Sequence, residues 1–156
     1  GNSQATSAKK TSHELLSDLK TAWQTFKSVS AKAQARDPFS DFTPFLKTLG
    51  PCVDSIVHSL FPDMEEAAAS EFIATNKVVE ELCVLGVSQK PVRPLVIWAV
   101  NQIIQKIHKP LLEIPSVSCA VREIIGTSYD ADEHKELRNQ PHVACLLNTI
   151  CHRLAK

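Results

Sequence analysis

His142, Cys145, Cys151 and His152 gather four metal-ligand side chains within eleven residues. Zinc takes thiolate sulfur and imidazole nitrogen at about 2.0–2.3 Å, so the group has to be weighed as a metal site. Val143, Leu146, Leu147, Ile150 and Leu154 recur at three- and four-residue steps behind Pro141 and place all four on one helix. At about 1.5 Å per residue, His142 and His152 are then ~15 Å apart along the axis. One ion cannot bridge that, and the pattern reads as core cysteines beside surface histidines. The segment "DADEHKE", residues 130–136, has the acidic density of a calcium loop. Lys135 stands where such a loop requires glycine for its sharp turn, and His134 stands at a ligand position, so an acidic surface loop is expected. No G-x-S-x-G, glycine-rich phosphate loop or H-E-x-x-H occurs. Neither a cofactor nor catalysis is expected.

Positive charge is the remaining chemistry. Between Val87 and Pro110 stand Lys90, Arg93, Lys106 and Lys109, with His108 and no carboxylate. These four cations are the candidate contact residues, placed at the two ends of one apolar helix where they could flank an acidic partner or a phosphate backbone. The bland alternative needs no partner, because Lys106 and Lys109 near a helix C-terminus are favoured by its dipole.

The elements that carry these residues read as helices throughout. The chain has 156 residues, 44% of them hydrophobic and 22% charged, enough for one sizeable core. Seventeen basic residues balance seventeen acidic ones, so net charge demands neither nucleic acid nor an anionic membrane. Four glycines leave little material for the positive-φ turns of hairpins. Five cysteines, an odd number mostly inside apolar patterns and with no N-x-[ST] acceptor, suggest reduced thiols in a cytoplasmic protein. Residues 1–11 are polar, without the apolar core of a signal peptide, and are expected to be a disordered tail or cloning remnant. The rest, 12–156, reads as one helical domain.

An N-cap at Ser12 opens a helix with Leu15, Leu16, Leu19, Trp23 and Phe26 on one face. Asp41 is placed to cap the next, which Gly50-Pro51 should stop or kink before Val53, Ile56, Val57 and Leu60. An acidic start near Glu65 and Glu66 opens a third helix, with a break at Thr75-Asn76. Val78, Val79, Leu82, Cys83 and Leu85 form a fourth stripe, closed by Gly86 at the αL capping position. The segment "KPVRPLVIWAVNQIIQKIHKPLLEIP" then carries apolar residues around much of a circumference, with Leu95, Trp98, Val100, Ile103 and Ile107 as core. From 95 to 107 it is too short and too polar to span a bilayer, which needs about twenty apolar residues, so it should be a central helix packed on both sides. Pro110 should end it. Ser116 is placed to cap a helix ending near Gly126, and the last helix runs to Lys156 without a stop signal, as in a piece of a longer protein. About seven helices and no strand alternation make the fold all-α. An armadillo- or HEAT-like α-solenoid fragment is expected, with a compact helical bundle as the alternative.

Residues 80–126 resemble the N-terminal part of the FTS and Hook-interacting protein family, FHIP, also known as the retinoic-acid-induced-16-like proteins. The likeness rests on a helix ending in Leu82, Cys83, Leu85 and Gly86, a proline-containing loop, a long helix, then Pro110, Leu111 and Leu112, and a further helix ending in Ile124 and Ile125. Pro115 departs from that pattern. The resemblance implies an α-solenoid without catalysis that links Rab-marked cargo vesicles to Hook and dynein. Its implied partners are a Hook-type coiled coil, an FTS-like protein and a GTP-bound Rab, with membrane contact only indirect, DNA not expected, and the location cytoplasmic and endosome-associated. The rival is a nucleic-acid-binding helical repeat using the same four cations, recognised by salt-sensitive binding.

Overall fold

The computed structural model describes residues 11–37, 39–60 and 64–129. Among them every regular element is a helix: α1 (Ser12–Gln34), α2 (Thr43–Leu60), α3 (Glu66–Thr75), α4 (Val78–Ser88), a 3-10 turn (Lys90–Val92), α5 (Arg93–Leu112) and α6 (Pro115–Tyr129). The chain is therefore all-α over the described residues. The 130–136 loop and the helix expected from Pro141, with its histidines and cysteines, lie outside them.

The first helix begins one residue earlier than expected from Ser12. Thr11 is the N-cap, its Oγ1 accepting from Glu14 N–H at 3.1 Å while Thr11 N–H donates to Glu14 Oε1 at 2.9 Å. This reciprocal box satisfies two otherwise orphaned donors. Leu19, Trp23 and Phe26 are buried on the inner face, and the Trp23 and Phe26 rings stack at 5.2 Å.

Pro51, expected to stop or kink a helix, and Pro110, expected to end one, both lie within helices. Pro51 is internal to α2, which runs unbroken to Leu60. Leu49, Cys52, Val53, Ile56, Val57 and Leu60 are all buried on its inner face, and their burial offsets the one backbone bond the proline deletes. Pro110 is internal to α5, and its effect appears at Ile107, whose φ −123° and ψ 37° are not helical. A proline inside a helix removes a backbone bond and distorts the turn before it, and Ile107 lies in that turn. Ile107 and Leu111 remain buried on either side of this kink.

The break at Thr75-Asn76 occurs as expected. Asn76 closes α3, and Lys77 takes a left-handed conformation at φ 54°, turning the chain into α4. Gly86 is a correction. It is a buried residue inside α4, not a cap beyond it, and no glycine among the described residues has positive φ. A Cβ there would lie 2.6 Å from Ile124 Cδ1 and 3.0 Å from Val96 Cγ1. The missing side chain lets α4 approach both α5 and α6 closely.

Helix α5 is the centre of the fold. It packs against α2, α3, α4 and α6, while α1 lies chiefly on α2. Val96, Ile97, Val100, Ile103, Ile104 and Ile107 are buried along it. Leu95 and Trp98, expected in the core, are half-buried at its edge, and Ile97 takes the deeper place. Helix α6 begins on Pro115, whose missing N–H matters least in a first turn, and continues past Gly126 to Tyr129.

Candidate functional site

Of the four cations expected to meet a partner, the structure places Lys90 on the exposed 3-10 turn before α5. Arg93 is not on the surface. It is 3% exposed, its Nε donating to Gly86 O at 2.8 Å and its Nη2 to Val87 O at 3.0 Å. Those carbonyls belong to the last turn of α4, where backbone acceptors have no partner within the helix and the dipole is negative. Arg93 is thus a side-chain cap for α4, which corrects its assignment as a contact residue. A lone cation between two prolines looks exposed in sequence, but the chain between α4 and α5 is so short that its guanidinium folds back onto the helix it has just left. The side chains of Lys106 and Lys109 lie outside the described residues. Their backbone is at the kinked end of α5, which the helical rise separates from Arg93 by about 20 Å. Lys90 and the Lys106/Lys109 pair therefore mark opposite ends of the helix and form no single cluster.

A second group lies between α4 and α6. Ser116 does not cap its own helix; its Oγ donates to Glu80 Oε2 at 2.7 Å and ties the start of α6 to α4. The other oxygen, Glu80 Oε1, is buried without a hydrogen-bond partner. Cys83 sits one turn further on, fully enclosed, and burial first, then the Glu80 and Glu123 carboxylates, push its thiol far above the ordinary range. A thiol held protonated is a packing group, not a nucleophile. Cys52 is pushed up by burial as well, whereas Cys119 is exposed. On α2, His58 and Asp54 form an exposed pair at 3.2 Å, with His58 Nδ1 also 2.8 Å from Asp54 O. Among the described residues no three His, Cys, Asp or Glu side chains could share a metal ion.

The third group was not singled out by sequence reasoning. The link between α1 and α2 is built around Arg36. Its Nη1 donates to Asp37 O at 3.0 Å and Ser40 O at 2.8 Å, and its Nη2 to Gln89 Oε1 at 3.1 Å, at the end of α4. The guanidinium lies 4.9 Å from the centre of the Phe42 ring. Asp37 Oδ1 accepts from Phe39 N–H at 2.9 Å, and Ser40 Oγ donates to Asp37 O at 2.7 Å. Asp41 Oδ1 accepts from Thr43 N–H at 3.0 Å and from its hydroxyl at 2.8 Å, anchoring the first turn of α2 as its placement predicted. The backbone bond, then the hydroxyl bond, hold the Asp41 carboxyl below its ordinary range. At the tip of this bonded link Phe39 is 96% exposed. Two aspartates and two phenylalanines within the six residues of "DPFSDF" were the available signal, but sequence alone does not say which phenyl is buried.

Compared with known family models, curated proteins and solved structures, the chain matches none. No described helix is long and apolar enough to cross a membrane.

Proposed function

We propose that this chain is a non-catalytic adaptor module, an armadillo- or HEAT-like stack of helix pairs that binds proteins in vesicle transport. It would join Rab-marked cargo to Hook and dynein on the cytoplasmic face of endosomes. The observation that supports the reading is the enclosure of α5 by four other helices, an arrangement that a middle helix in stacked pairs shares with the central helix of a compact bundle. The residues of the FHIP-like pattern support it. Leu82, Cys83, Leu85 and Gly86 on α4, Leu111 on α5 and Ile124 and Ile125 on α6 are all buried in contacts between helices. Recognition would then fall to the exposed faces, since the side chains with most chemistry are spent on architecture: Arg93 caps α4 and Cys83 is sealed.

The nucleic-acid reading is weaker because Arg93 is removed from its set of cations. The test is a pull-down with the purified domain as bait, from cytosol loaded with a non-hydrolysable GTP analogue or with GDP, repeated with purified candidates. Direct binding of a Hook-type coiled coil, or of a Rab in the GTP state alone, is the expected result. Salt-sensitive RNA binding without either protein would overturn it.

A further inference from the structure

We infer that Phe39, carried on a link whose residues 37, 39 and 40 are fixed by hydrogen bonds, is a preformed anchor that enters an apolar pocket with a basic rim on a partner protein. The inference deepens the adaptor reading and rests on it. An aromatic exposed to 96% is unusual for a residue type that favours burial, and large aromatics are the commonest anchors of protein interfaces. Its exposure does not come from a slack loop. The Asp37 carboxylate holds Phe39 N–H, Ser40 N–H and its hydroxyl both donate to Asp37 O, and Arg36 holds the Asp37 and Ser40 carbonyls while reaching across to Gln89. A loop already ordered loses little further freedom on binding, which is the advantage of a preorganised anchor.

Nor does the core lack room for a phenyl from this segment. Phe42 takes that place, 6% exposed, beneath Arg36 and beside Phe45 at 5.8 Å. The two phenylalanines three residues apart are thus divided, one inward and one outward.

Charge selects the occupant. Asp37 and Asp41 are both exposed and stand on either side of Phe39, while the nearby guanidinium is turned inward onto carbonyls, Gln89 and Phe42. Lys32 and Lys47, the nearest lysines along the chain, are each at least five residues from the loop, and the exposed Lys90 adjoins Gln89, which Arg36 binds, so the two carboxylates outnumber the lysines the fold brings to the link. Two exposed carboxylates, each held by hydrogen bonds two residues from Phe39, oppose insertion into an anionic cytoplasmic leaflet and favour a protein pocket edged by Arg or Lys.

The test places the photocrosslinker p-benzoylphenylalanine singly at positions 39, 84 and 122 of the chain in cells, the last two being exposed sites on α4 and α6. A protein captured at 39 is identified, purified and titrated against wild type, Phe39→Ser, Phe39→Leu and the double variant Asp37→Asn/Asp41→Asn, all checked for native circular dichroism. Asparagine keeps the Oδ1 acceptor that builds the loop and removes only the charge. Expected are a Kd at least tenfold higher for Phe39→Ser, a smaller rise for Phe39→Leu, and severalfold weaker, less salt-sensitive binding for the double variant. Unchanged affinity of Phe39→Ser overturns the inference. So does Phe39-dependent binding to phosphatidylcholine/phosphatidylserine vesicles in place of a protein. Capture only at 84 or 122, or at none of the three positions, rejects the loop while leaving the adaptor reading to its own pull-down.

Discussion

Substitution of Gly86 by alanine sets two known effects against each other. In a helix interior alanine is favoured over glycine by about 0.5–1 kcal/mol. Against that, the new methyl would lie 2.6 Å from Ile124 Cδ1, 3.0 Å from Val96 Cγ1 and 3.1 Å from Val96 Cβ. Ile124 Cδ1 ends a flexible side chain and can rotate away. Val96 is stiff at χ1 and fully buried, so its contact is relieved only by moving α4 away from α5. Overpacking of this kind costs about 1–3 kcal/mol, so Gly86→Ala should bring no gain and a net loss of up to about 2.5 kcal/mol. Gly126→Ala, also inside a helix but with open space around the new methyl, should stabilise by about 0.5–1 kcal/mol. Urea unfolding followed by far-ultraviolet circular dichroism and by Trp23 and Trp98 fluorescence measures both. Ile124→Val alone should cost about 0.5–1.5 kcal/mol, yet combined with Gly86→Ala the total should fall below the sum of the two. Stabilisation by Gly86→Ala equal to that by Gly126→Ala would refute the close approach of α4 to its neighbours.

Arg93→Ala should lose about 2–3 kcal/mol, because the buried Gly86 carbonyl and the part-buried Val87 carbonyl of α4 lose a charged donor, and Arg93→Lys should recover only part of it; hydrogen exchange at the end of α4 should rise in both. Thr11→Ala should cost about 1 kcal/mol by urea unfolding, since it removes one arm of the capping box. In the native domain, iodoacetamide should modify the exposed Cys119 well before Cys83, as read by peptide mass mapping; equal rates would contradict the burial of Cys83. The Asp41 carboxyl should titrate below its ordinary range by carbon-13 NMR. Its contribution to stability is then fully present above the unfolded pKa of about 3.9 and is lost as pH falls through the lowered folded value, and Asp41→Asn should remove that part of the acid dependence.

Helix identity was legible because apolar residues at three- and four-residue steps leave few alternatives, and α1, α4 and α5 were placed on that basis. The boundaries misread were those marked by proline and glycine. Pro51 and Pro110 carry a local signal to stop, but the buried faces of α2 and α5 outweigh one lost hydrogen bond at each, and only the kink at Ile107 records the conflict. Gly86 illustrates a different ambiguity. Glycine serves both a left-handed cap and a close helix contact, and the choice is made by Val96 and Ile124, ten and thirty-eight residues away in sequence. Arg93 was misassigned for a related reason, since its acceptors are backbone carbonyls that no side-chain pattern announces. The loop around Phe39 was hidden because its outward ring and the inward ring of Phe42 are the same residue type, and only the Arg36 network separates them.

The most direct measurement on the adaptor reading is isothermal titration of the purified domain with a Hook-type coiled coil, an FTS-like protein and a GTP-loaded Rab, each in turn. Saturable binding to at least one of them, with a Kd of about micromolar or tighter, is the predicted result. Absence of binding to all three by a domain that retains its helical circular dichroism would contradict it.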